Sequence, residues 1–153
     1  MPASPGLDER QARLWQAYRD LQQGLFGALS RQLLQDAGLS GTEYALLVPL
    51  SKTPDGVLRA RELCSALDWD RSRLSHQVRR MEKRGLVARE ECSEDGRGSM
   101  VRLTDGGRAA VERAAPEHAT AVRHYFFDQL SDAELETLAA VFDRLLENLT
   151  RDN

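Results

Sequence analysis

The stretch Asp70-Arg71-Ser72-Arg73-Leu74-Ser75-His76-Gln77-Val78-Arg79-Arg80-Met81-Glu82-Lys83-Arg84-Gly85 decides the fold. At about 100° per residue, Leu74, Val78 and Met81 gather on one side of a helix, while Ser72, His76, Arg79 and Lys83 point the opposite way. Asp70 is a good N-cap and Gly85 the left-handed residue expected just past the end. One face therefore belongs to a core and the other is polar and cationic. Just upstream, Leu63 and Leu67 mark one face of a short helix from about Arg61 to Leu67, joined by a tight Asp68-Trp69-Asp70 turn. Two helices in this order make a helix-turn-helix, whose second member fits the DNA major groove. Just downstream, Leu86 to Glu91 and Met100 to Leu103 have strand character, separated by turn formers from Cys92 to Ser99, which predicts a β-hairpin with a long tip.

Farther out the chain is helical. Leu14, Tyr18, Leu21, Leu25, Leu29 and Leu33 recur at steps of three or four within Leu7 to Ala37, and Gly38 closes that run. Ser40 and Glu43 form a capping-box pattern before a short apolar helix that stops ahead of Pro54. Thr104 caps a further helix, which Pro116 is expected to kink or interrupt. Ser131 and Glu134 make a second capping box, followed by a seam of Leu135, Leu138, Phe142, Leu145 and Leu149 that suits packing against another helix. The predicted fold is mainly α: a winged helix-turn-helix with a β-hairpin wing, flanked by N- and C-terminal helices.

With 153 residues, 41% of them apolar, the chain suits one domain, 1–153. Its net charge of -3 argues mildly against a nucleic-acid partner. The average hides a patch: between Arg71 and Arg89 lie seven of the 21 basic residues (Arg71, Arg73, Arg79, Arg80, Lys83, Arg84, Arg89) and, of the acidic ones, Glu82 alone. On charge pattern alone a solvated cationic face fits equally well. The hairpin tip favours DNA, because Arg97, between Gly96 and Gly98, puts a guanidinium on a narrow finger of the kind minor grooves attract, with Asp95 placed to pair with it. Candidate DNA contacts are Ser72, Arg73, Ser75, His76, Arg79, Arg80, Lys83, Asp95 and Arg97.

Leu63 to Leu67, Asp70 to Gly85 with Leu86-Val87, Asp95-Gly96-Arg97-Gly98 and Leu103-Thr104-Asp105 with Gly107-Arg108 together resemble the MarR (multiple antibiotic resistance regulator) family. The resemblance covers nearly the whole chain and implies a homodimer on roughly palindromic double-stranded operator DNA. It further implies that 7–37 and 105–150 form a dimerisation region around a DNA-binding lobe at 40–104. Members commonly release DNA when a small, often aromatic ligand enters a cleft between the two regions. Trp15, Tyr18, Phe26 and Tyr44 are candidates for that cleft by position and type, although the same rings equally suit a core or an interface.

No Gly-rich phosphate loop, nucleophile elbow or paired His and carboxylate motif is visible, which excludes the common enzyme classes. Cys64 and Cys92 have no partner at ligand spacing, so neither a disulfide framework nor a metal site is expected, and no cofactor is implied. Cys64 reads as a core thiol; Cys92, in the wing, keeps open a thiol-based redox regulator. A protein-interaction module without a DNA target is the third reading. Trp69 reads as a core plug, Arg59 and Arg61 as phosphate contacts or idle surface, and His118 and His124 as surface or interface. No apolar run spans a membrane and Met1 to Gly6 do not look like a signal segment, so a soluble, cytoplasmic regulator is expected.

Overall fold

The computed structural model describes residues 6–91 and 98–152. Its elements run α1 (Glu9–Ala37), α2 (Gly41–Ser51), β1 (Val57–Arg59), α3 (Ala60–Leu67), α4 (Arg71–Lys83), β2 (Val87–Glu91), β3 (Ser99–Leu103), α5 (Asp105–Tyr125), a 3-10 turn (Phe127–Gln129) and α6 (Asp132–Arg151). The capping signals read from the sequence are used. The Ser40 hydroxyl accepts from the Glu43 N–H at 3.0 Å while the Glu43 carboxylate accepts from the Ser40 N–H at 2.9 Å. The Ser131–Glu134 pair does the same at 3.2 and 3.1 Å, and those bonds hold the Glu134 carboxyl below its ordinary range. Gly38 and Gly85 adopt left-handed backbone, φ 66 and 73, where the preceding helices end.

Residues 6–118 and 119–152 fall into two compact units. In the first, Leu46, Leu47, Leu50, Leu63, Met81, Val78 and Val101 are fully buried together with Leu33 and Leu39 from the α1–α2 junction and Ala110 and Ala114 from α5. The three helices α2, α3 and α4 thus share one core with the sheet. That sheet is antiparallel with order β1-β3-β2, Leu58 facing Val101 and Val101 facing Arg89. β1 is absent from the sequence reading, because three residues are too few for alternation to register. Only the edge of β3 makes it a strand.

A second difference concerns Pro116. The expected interruption does not occur: α5 continues through it from Asp105 to Tyr125. Proline removes one backbone donor, a local cost that does not end α5. The start of α5 explains the Leu103-Thr104-Asp105-Gly106-Gly107 sequence. The Thr104 hydroxyl donates to the Gly85 carbonyl at 2.6 Å and accepts from the Gly107 N–H at 3.0 Å. Gly107 itself lies so close to the turn after α4 that a Cβ there would sit 2.0 Å from the Leu86 carbonyl oxygen. The first turn of α5 is docked, backbone against backbone, on the turn that follows α4.

In the second unit, Phe126 and Phe127 meet edge to face at 5.1 Å ahead of α6. The α6 seam is largely uncovered, with Leu145 57% and Leu149 62% exposed. Among the described residues no helix is long and apolar enough to cross a membrane.

Candidate nucleic-acid interface

Helix α4 divides as its sequence requires. Leu74, Val78 and Met81 are 3%, 1% and 0% exposed and face the core. The Asp70 carboxylate accepts from the Arg73 N–H at 2.7 Å and fixes the first turn. Ahead of it Asp68 takes a left-handed conformation, φ 55, which lets α3 and α4 join in a turn of three residues. Ser72, Arg73, His76, Arg79, Arg80 and Lys83 are exposed on α4. Arg71, Ser72, Ser75, His76 and Arg79 line one shallow groove along the outer face.

Two of these side chains have partners inside the protein. The Arg73 guanidinium lies 4.4 Å over the Trp69 ring, and Trp69, half-buried, packs against the core cluster as expected of a plug. Ser75 is half-buried, and its hydroxyl accepts from Arg89 of β2 at 3.2 Å. Strand β2 is thereby tied to α4. On the other face of the sheet Arg102 donates to Glu90 through Nε at 2.5 Å and Nη2 at 3.1 Å, and this hydrogen bonding holds the Glu90 carboxyl below its ordinary range.

A larger groove of about 570 Å³ opens between the start of α3, α4 and the base of the hairpin. Arg59, Arg61, Arg71 and Arg89 surround it with Ser75 and Ser99, over a floor of Leu74, Val78 and Val101, and among the described residues no carboxylate lines it. Four guanidiniums around one groove suit phosphate, which accepts bidentate hydrogen bonds from arginine. The sequence reading left Arg59 and Arg61 open and did not assign Arg71 or Arg89 to the site. Their convergence depends on β1 and β2 meeting β3, and the local density of arginines was the sole signal. Asp95 and Arg97 at the wing tip, and Cys92, lie outside the described residues.

The four aromatic candidates fall in two places. Trp15 and Tyr18 are exposed on α1 with ring centroids 5.4 Å apart. Phe26, 60% exposed, lies about two turns past Tyr18 along α1, about 12 Å away at 1.5 Å per residue. It sits beside the start of α2, where a Cβ on Gly41 would be 3.5 Å from its ring. Tyr44 is half-buried and meets the His118 ring at a tilt, centroids 4.6 Å apart, and burial raises its phenol. His118 is therefore not a free surface residue: its Nδ1 lies 3.2 Å from Gln32 Oε1, and burial lowers its imidazole. His124 is exposed, edge-on to Tyr125 at 4.9 Å. Cys64 is a half-buried free thiol packed against the core.

The arrangement of α2, α3, α4 and the β2–β3 hairpin is a winged helix, and comparison with known proteins agrees. Residues 37–98 match the family model described as MarR family. The chain is 39% identical to Sco3205 of Streptomyces coelicolor, a MarR family transcriptional regulator solved in complex with DNA, with a TM-score of 0.86 over 94% of this chain and 93% of that one. The chain belongs to the MarR family. AbsC, a second MarR family transcriptional regulator from Streptomyces coelicolor, is 33% identical with a TM-score of 0.87, covering 96% of this chain and 99% of that one. The transcriptional repressor MprA of Escherichia coli K12 is 25% identical over 118 residues, which make up 77% of this chain and 66% of the length of MprA. MarR family proteins of this kind are DNA-binding transcriptional regulators and not enzymes.

Proposed function

We propose that the chain binds a roughly palindromic double-stranded operator as a homodimer and represses the genes beside it until a small aromatic effector releases it. The observation that carries the DNA reading is the exposed cationic face of α4 alongside a groove ringed by four arginines. In this reading Ser72, Arg73, Ser75, His76 and Arg79 face base edges, while Arg80, Lys83 and the groove arginines hold phosphates. Arg97, with Asp95, is assigned to minor-groove contact on the sequence pattern alone. Residues 40–104 form the DNA-binding lobe, and a second copy covers the apolar side chains exposed on 7–37 and 105–150, among them Leu14, Leu21, Leu145 and Leu149. The effector is assigned to Trp15, Tyr18, Phe26 and Tyr44, with Phe26 and Tyr44 flanking the start of α2.

A gel shift with promoter fragments from the neighbouring genes tests the central claim. Retarded complexes that survive excess random duplex are expected. Equal competition by random and promoter DNA overturns the assignment and favours a protein-interaction module. Light scattering should give twice the chain mass at micromolar concentration.

A further inference from the structure

Among the described residues Glu43 is the buried charged one, 7% exposed, and it has two tasks at once. As the third residue of α2 it closes the capping box with Ser40. Both of its carboxylate oxygens also accept hydrogen bonds from Nη1 of Arg84, 41 residues on, where α4 ends. The other arm of the same guanidinium, Nη2, donates to the carbonyl of Gly38 at 2.9 Å, the left-handed residue that terminates α1. One side chain from the recognition helix thus grips the end of α1 and the start of α2 together.

The grip falls on a tightly packed junction. A Cβ at Gly41 would meet the Ser30 hydroxyl at 2.3 Å and the Phe26 ring at 3.5 Å, so the first residue of α2 lies with its backbone against side chains of α1. A buried carboxylate that lost its guanidinium would be an uncompensated charge, and this confines the pair to a narrow range of geometries. Resting on the DNA-binding reading above, we infer that Glu43 and Arg84 are positioning residues that set the recognition helix against the α1–α2 junction, so that displacement at that junction is carried to operator selectivity. Glu43 lines neither of the two grooves described above, and Arg84 links it to the end of α4.

The test uses the full-length protein and the variants Glu43→Gln, Arg84→Gln and the double substitution. Each is measured well below its melting temperature for affinity to operator and to random duplex of equal length. Glu43→Gln removes a negative charge, so electrostatics alone would tighten binding to every duplex. The expected result is instead a fall in the ratio of operator to random affinity of about five- to tenfold in each single variant. The double variant should be no worse than either single one, because both act through one contact. An unchanged ratio, or losses that add, overturns the inference. A wild-type protein that selects no duplex overturns the DNA-binding reading instead. Hydrogen exchange on the free protein then decides the tie by itself: Glu43→Gln should accelerate exchange at residues 82–86 as well as 39–41, and acceleration confined to 39–41 overturns it.

Discussion

The guanidinium of Arg73 stands 4.4 Å above the ring of Trp69, one turn earlier at the mouth of the helix-turn-helix. Arg73 faces outward, yet it also shields the plug that closes the turn, and so it serves stability as well as charge. Arg73→Ala should therefore lower stability by about 0.5–1 kcal/mol, the range for an exposed cation–π pair. Arg79→Ala, on the same exposed face, should change it by less than about 0.5 kcal/mol. Chemical denaturation of the two variants checks this, and equal effects would mean that the stacking contributes nothing.

The two sides of α4 make opposite demands. Val78→Asp places an unpaired carboxylate at a site 1% exposed and should cost about 3 kcal/mol or more, enough to unfold the lobe. Alanine at Ser72, His76 and Arg79 together should leave the melting temperature nearly unchanged while operator affinity and sequence preference fall. Circular dichroism and competition gel shifts separate the two outcomes.

Phosphate binding in the arginine groove makes a different prediction. Arg59→Ala and Arg71→Ala should weaken binding to operator and random duplex alike. Each should lower the slope of log affinity against log salt by about one if it neutralises one phosphate. A salt titration of wild type and both variants reads this directly.

Gly107→Ala should destabilise the protein by about 2 kcal/mol or more, because the added carbon would lie 2.0 Å from the Leu86 carbonyl oxygen and 2.8 Å from Leu103 Cδ1. Neither neighbour can rotate away at low cost, since one is backbone and the other is core. Urea denaturation measures the loss.

His118 introduces a pH dependence. Burial against Tyr44 disfavours its cationic form and lowers it from the ordinary value of 6.5. The unfolded chain therefore binds more protons than the native one between the lowered value and 6.5. Stability from the neutral ring is complete above 6.5 and declines as the pH falls through that window. The melting temperature should drop more between pH 7.5 and 5.5 in wild type than in His118→Gln.

Leu74, Val78 and Met81 could be assigned to the core, and Ser40, Asp70, Gly85 and Ser131 to helix ends, because helical periodicity and capping act within a few residues of the chain. The family motif was legible for the same reason: Thr104 and Gly107 sit three apart, the spacing of a helix cap, although their contacts to Gly85 and Leu86 are tertiary. What lies between distant residues was not legible. β1 exists only because β3 offers an edge, and α5 runs through Pro116 where a local rule predicts a break. Arg59, Arg71 and Arg89 come together only when β1, α4 and β2 are placed by the common core, and Glu43 meets Arg84 across 41 residues. Local sequence carries the free energy of turns and caps. The convergence of charges is set by which apolar faces pack, and no pattern along the chain encodes that distance.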